Sequence, residues 1–150
     1  MQTPKSQPLN IQAQARFLKL LFFVMVFSVG MDAGVLQLIG QRADHSPDAF
    51  RMGLEVLALA SALVVLFVRF VMIAGVLVPD APIPVAERMA KLRTYFIVCY
   101  VFSETVALYG FVGRYMGGSL VESAPFFAGS LILYALCYPR LPSDLDDSQP

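Results

Sequence analysis

Three ionisable side chains, Glu104, Arg69 and Asp32, lie inside long apolar stretches of the sequence. A charged group placed in hydrocarbon costs about 2.5–3.5 kcal/mol by insertion scales, and more by simulation. A chain keeps such a group when a partner offsets the charge or when the proton itself is used. Glu104 therefore leads the residues that could carry chemistry, and that chemistry would be the binding of a proton or a cation.

Arg69 offers a competing interpretation of Glu104. The apolar stretches that contain Arg69 and Glu104 predict two consecutive antiparallel helices. Counted from the cytoplasmic ends of these helices at a rise of about 1.5 Å per residue, Arg69 lies roughly 14 Å deep and Glu104 roughly 16 Å deep. Intramembrane charges usually pair, so the first interpretation is a structural Arg69–Glu104 ion pair that locks the charge of the carboxylate. The second is a functional proton or cation site at Glu104, and the third is a carboxylate at the lipid interface by accident, without a role. Arg69 could also extend to the cytoplasmic face, because long basic side chains snorkel.

Asp32 lies roughly 10 Å from the outer end of its helix by the same rise. Two interpretations are open for this carboxylate. It could join the polar cluster of Glu104, or interfacial water or a neighbouring helix could hold it. We expect the second.

The composition places these charges in a membrane protein. Apolar residues make up 57% of the 150 residues and charged residues only 15%, whereas a soluble domain is about a quarter charged. A transmembrane helix needs about 20 apolar residues, and barrel strands alternate apolar with polar residues, which these stretches do not. The sequence thus predicts an all-α, up-down bundle of four transmembrane helices over residues 17–39, 54–78, 95–114 and 120–138.

The basic residues predict the orientation of this bundle. Seven lie in the N-terminal region, the second connection and the C-terminal tail, against three on the other side. The positive-inside rule then puts both termini in the cytoplasm, for a multi-pass protein of the plasma (inner) membrane. We expect a flexible tail at 1–15, one transmembrane domain at 16–140 and an acidic disordered tail at 141–150. The short connection after Tyr115 predicts that helices 3 and 4 are antiparallel neighbours, and Gly30 and Gly34 could form a helix-packing face.

Other chemistry finds little support in the residues. Cys99 and Cys137 both lie in apolar segments and read as small buried hydrophobes, while His45 is alone in a polar loop. No cysteine–histidine ligand set, phosphate-binding loop or nucleophile motif is visible. Since the net charge is zero, nothing favours nucleic acid. We therefore expect no enzyme, no metal and no cofactor.

A sequence pattern surrounds Glu104. Arg93-Thr94 precedes it, with the arginine eleven residues before the glutamate, and Val106-Ala107-Leu108-Tyr109-Gly110 follows. With these residues, the segment 91–111 resembles the second helix of the rotary ATPase proteolipid, the c subunit of the membrane ring. The resemblance implies that Glu104 carries a proton or cation. Sodium-binding members place a hydroxyl beside the glutamate and a tyrosine five residues on, which Thr105 and Tyr109 match.

Two functions follow as expectations. The first is a small proteolipid-like membrane protein in which Glu104 handles a proton or cation. The alternative is a non-transporting accessory or scaffold subunit, in which the Arg69–Glu104 pair holds helices together. Both imply the lipid bilayer and either other membrane subunits or self-association as partners.

Overall fold

All regular structure in the computed structural model is helical within the residues it describes, which are 11–38, 48–77 and 84–139. The predicted all-α fold with four helices is confirmed there. The second helix is continuous but changes its winding near its end. The helices are α1, Ile11–Leu38; α2, residues 48–76, made of α-helical Asp48–Phe67, π-helical Val68–Ile73 and α-helical Ala74–Val76; α3, Val85–Tyr115; and α4, Leu120–Leu136.

Three of the helices begin before the apolar segments that predicted them. The first starts at Ile11 rather than 17, α2 at Asp48 rather than 54, and α3 at Val85 rather than 95. Once a helix is nucleated, each added residue gains a hydrogen bond, so helices extend into polar flanks. Residues 11–15 therefore belong to α1 and not to a flexible tail. The rest of that predicted tail and the acidic tail at 141–150 lie outside the described residues.

Helices α1, α2 and α3 are long and apolar enough to cross a membrane, with candidate spans Arg16–Val35, Ala49–Val76 and Ala86–Tyr115. The fourth helix is apolar but has only 17 residues, which is about 26 Å against a hydrocarbon core of about 30 Å. Pro125 lies in its second turn without ending it. Helices α1 to α3 thus mark the chain as a membrane protein, while α4 falls short of a full span.

Contacts between helix ends define two ends of the bundle. At the turn end, where residues 116–119 join α3 to α4, Arg51 at the start of α2 forms an ion pair with Glu122 at the start of α4. At the far end, Arg88 Nε donates to the Val76 carbonyl of α2 at 2.6 Å, and the Arg93 guanidinium lies 5.1 Å from the ring centre of Phe17 in α1. The four helices therefore alternate in direction, as the short connection predicted for α3 and α4.

The closest helix contact lies between α3 and α4. A Cβ added to Gly110 would lie 2.7 Å from Cβ of Phe126 and 3.2 Å from the carbonyl oxygen of Ser123, so only glycine fits there without a shift. The predicted packing face on α1 is different, since a Cβ on Gly30 or Gly34 would have no atom within 4 Å. That pattern therefore serves no helix contact in the described structure. The core centres on α3, which packs against all three other helices.

Candidate functional site

Glu104 lies halfway along the apolar part of α3, and its carboxylate joins three helices. Ser28 Oγ of α1 donates to Oε1 at 2.8 Å, and the Tyr134 hydroxyl of α4 donates to Oε2 at 2.8 Å. Side chains on a helix lean towards its N-terminus, which brings this carboxylate over the preceding turn of α3. Each carboxylate oxygen thus receives a neutral hydroxyl donor from a different neighbouring helix.

The Tyr134 hydroxyl has a second acceptor within reach. Its oxygen lies 2.8 Å from Glu104 Oε2 and 3.1 Å from the backbone carbonyl oxygen of Tyr100. A phenol carries a single proton to donate, so one acceptor receives it at a time. The Tyr134 side chain is only 1% exposed, and a buried hydroxyl needs a partner. This tyrosine can therefore keep a hydrogen bond whether or not Glu104 accepts one.

An aromatic cluster adjoins the carboxylate on the side of the far end. It consists of Phe22 of α1, Tyr100 of α3, and Tyr134 and Tyr138 on α4 and just beyond it. The Phe22 ring centre lies 6.1 Å from those of Tyr100 and Tyr134 and 5.2 Å from that of Tyr138, all edge-on. Edge-to-face rings at these distances attract one another. The cluster therefore fills the junction of α1, α3 and α4 with apolar ring surface.

The predicted Arg69–Glu104 ion pair does not form in the structure. Arg69 Nε donates instead to the Leu136 carbonyl in the last turn of α4, at 2.9 Å. Two physical causes explain the difference. The π-helical winding of Val68–Ile73 changes the direction of side chains there relative to a regular helix, and the last carbonyls of α4 lack helical partners and attract a cation. Arg69 thus bonds to the end of α4 at the far end of the bundle.

Thr105 and Tyr109, the other two members of the predicted ion site, do not meet Glu104. Thr105 Oγ1 donates to the Val101 carbonyl of its own helix at 2.8 Å. Tyr109 is half-buried and packs against the hydrophobic core. Successive residues turn by about 100° around an α-helix, so both side chains point well away from the direction of Glu104. The carboxylate therefore finds its partners on α1 and α4 and not on its own helix.

Asp32 is half-buried on α1, one turn beyond Ser28. No hydrogen bond or ion pair engages it within the described ranges. Cys99 and Cys137 are free thiols and fully buried, as expected. In the part of the chain that the structure describes, no three His, Cys, Asp or Glu side chains come together in a way that could hold a metal ion.

The sequence did not predict two members of the site, Ser28 and Tyr134. Tyr134 carried a usable signal, because a tyrosine well inside an apolar helix needs a partner for its hydroxyl. Ser28 carried none beyond its depth in the first apolar segment.

The chain matches no family model, no curated protein and no solved structure. The candidate site therefore rests on its own geometry: a mid-span carboxylate with two hydroxyl donors and no basic side chain bonded to it among the described residues.

Proposed function

We propose that this chain is a small integral membrane protein in which Glu104 takes up and releases a proton inside the bilayer. One observation carries the proposal. The Glu104 carboxylate receives hydrogen bonds from Ser28 and Tyr134, and no ion pair engages it among the described residues. Without a cation to fix its charge, an intramembrane carboxyl can change protonation state, and such groups mark proton and ion pathways.

The hydrogen bonds support both states of this carboxyl. When Glu104 is ionised, Ser28 and Tyr134 both donate to it. When Glu104 is protonated, its own O–H can donate to the Tyr134 oxygen while Tyr134 donates to the Tyr100 carbonyl, 3.1 Å away. A helical serine can likewise turn to the carbonyl four residues back, here that of Val24. Neither state strands a buried polar group, which would cost about 1–3 kcal/mol.

A proton suits this arrangement better than a metal cation. An ionised carboxylate only accepts, so both hydroxyls donate to it in that state, whereas a sodium ion is held by oxygen lone pairs. Binding a cation would require both hydroxyls to turn their hydrogens to other acceptors at once, Tyr134 to the Tyr100 carbonyl and Ser28 to that of Val24. The resemblance of the segment 91–111 to the rotary ATPase proteolipid is consistent with either ion and with partner membrane subunits or self-association.

A non-transporting accessory or scaffold subunit is the second candidate. The observation in its favour is that the bonds of Glu104 tie α1 and α4 to α3, so the cluster could serve packing alone. In that role the carboxyl would keep one protonation state. The two candidates therefore differ in a measurable property of one residue.

For the membrane placement we propose an inner-membrane protein with both termini in the cytoplasm and α4 as a fourth, short span. The excess of basic residues on that side supports this orientation. Single cysteines at Ser46 and at Ala81 test it, in a background without Cys99 and Cys137. An impermeant maleimide added to intact cells should label position 46 and not position 81. The reverse pattern would overturn the orientation.

Carbodiimide labelling tests the role of Glu104 itself. Dicyclohexylcarbodiimide enters from lipid and attacks protonated carboxyls in apolar surroundings. We expect it to modify Glu104 increasingly as the pH is lowered below neutral, with the modified peptide identified by mass spectrometry. Glu104→Gln should lose this modification, and exposed Glu55 serves as an internal control for a carboxyl outside the cluster. Absence of Glu104 modification at every pH would favour the scaffold.

A further inference from the structure

Asp32 is an intramembrane acid that the proposed function leaves unused. It lies one helical turn from Ser28, and residues four apart on a helix are neighbours on one face. In projection down α1, Asp32 falls between Ser28 and fully buried Val29, so it belongs to the side that packs on the bundle. Intramembrane carboxylates face a bundle interior or water. This one is half-buried without a bonded partner in the described ranges.

Asp32 lies on the side of Glu104 that faces the turn end of the bundle. It is six residues before the end of α1 at Leu38, or about 9 Å from that end by the helical rise. Ser28 is one turn deeper, and its hydroxyl is the group that contacts Glu104. From the turn end inwards, the polar groups therefore follow in the order Asp32, Ser28, Glu104.

The other side of Glu104 has the opposite character. Towards the far end lies the aromatic cluster, in which Phe22 packs edge-on against three tyrosine rings at 5.2–6.1 Å. Two of those tyrosines, Tyr100 and Tyr134, are at most 1% exposed. Close-packed rings leave little room for water, whereas a half-buried carboxylate attracts it.

We propose that Glu104 exchanges its proton with the turn end of the bundle, through Asp32 and Ser28, and that the aromatic cluster closes the route to the far end. This inference rests on the proposed function of Glu104. It assigns Asp32 as the residue that brings water and protons to the site, a role that acts on Glu104 through Ser28.

Two carbodiimides separate access from protonation. Dicyclohexylcarbodiimide reaches Glu104 from the lipid side, while a cationic, water-soluble carbodiimide must arrive through water. Both react with the protonated carboxyl, so the ratio of the two modification rates reports aqueous access alone. The full chain in detergent micelles presents both ends to water, and mass spectrometry of the Glu104 peptide measures each rate.

We expect Asp32→Leu to lower that ratio by about tenfold, because a leucine there dehydrates the route. Asp32→Glu should restore it, and Met31→Leu, on the exposed side of the same turn, should leave it unchanged. If Asp32→Leu fails to fold, Asp32→Asn, which keeps the side-chain volume, takes its place with a smaller expected fall. The far end of the bundle also meets water in micelles. A fall in the ratio of the two modification rates therefore shows that the water-soluble carbodiimide does not reach Glu104 past the aromatic cluster.

The outcomes distinguish this inference from the function beneath it. Loss of Glu104 modification by dicyclohexylcarbodiimide in the native sequence would overturn the proposed function. Two other outcomes would overturn only the route through Asp32, provided that dicyclohexylcarbodiimide modifies Glu104 normally. In the first, the water-soluble carbodiimide hardly modifies Glu104 in the native sequence. In the second, the ratio of the two modification rates is unchanged in Asp32→Leu and Asp32→Asn.

Discussion

Replacing Tyr134 by Phe removes one hydroxyl and little else, so it isolates the bond that holds Glu104 to α4. The native hydroxyl lies 2.8 Å from Glu104 Oε2 and is almost fully buried. A hydrogen bond to a charged group contributes about 1.5–3 kcal/mol, whereas hydrogen bonds between membrane helices average about 0.6 kcal/mol in double-mutant cycles. The loss of unfolding free energy in Tyr134→Phe therefore shows whether Glu104, the acceptor, is charged.

The expected effect depends on pH with a definite sign. Where Glu104 is ionised, Tyr134→Phe should lower the free energy of unfolding by about 1.5–3 kcal/mol. Where Glu104 is protonated, Tyr134 can donate to the Tyr100 carbonyl instead, and the loss should shrink to about 0.6 kcal/mol. The contribution of this bond is thus present at high pH and lost as the pH falls.

A double-mutant cycle of Tyr134→Phe with Glu104→Gln, measured by reversible unfolding in mixed micelles at several pH values, gives the part of the coupling energy that depends on the charge of Glu104, because glutamine keeps a neutral acceptor oxygen. Tyr138→Phe is the matched control, since its ring also packs on Phe22 and no hydrogen bond of its hydroxyl engages Glu104 among the described residues. A coupling that stays below about 0.5 kcal/mol, the usual limit of additivity, at every pH would refute the reasoning.

The remaining predictions concern packing and the helix ends. Arg69→Leu should destabilise the fold by about 1–2 kcal/mol, because the bond to the end of α4 is lost. A double-mutant cycle with Glu104→Leu, followed by thermal melting, should give additive effects. Strong coupling between the two changes would support the Arg69–Glu104 ion pair instead. Gly110→Ala should destabilise the fold by about 1–3 kcal/mol, because its Cβ would lie 2.7 Å from another side-chain carbon. Gly30→Ala should be neutral or slightly stabilising, because its Cβ would meet no atom within 4 Å. Equal melting temperatures for the two variants would contradict this prediction.

The helices were predictable because hydrophobic length decides them. Apolar stretches in lipid have few alternatives to a helix, so the four segments predicted four helices. Their starts were less predictable, since apolarity does not report how far a helix continues into polar residues. The third helix, for example, begins at Val85, whereas the apolar segment that predicted it begins at residue 95.

The side-chain partners were harder to predict for a geometric reason. Counting residues gives depth along a helix and says nothing about the direction of a side chain around it. Residue counting gave Arg69 and Glu104 a similar depth on neighbouring helices, but in the structure Arg69 bonds to the Leu136 carbonyl at the far end of α4, where α2 is π-helical. Ser28 and Tyr134 meet Glu104 across helices, and only the packing of α1 and α4 on α3 brings them there.

Infrared spectroscopy of the reconstituted protein across a pH titration tests the central claim most directly. The claim is that Glu104 gains and loses a proton within the cluster. It predicts a protonated-carboxyl stretching band that disappears reversibly as the pH rises, that is missing in Glu104→Gln, and that is accompanied by a tyrosine ring band missing in Tyr134→Phe. A Glu104 that holds one protonation state throughout the stable pH range, with no band lost or gained, would contradict it.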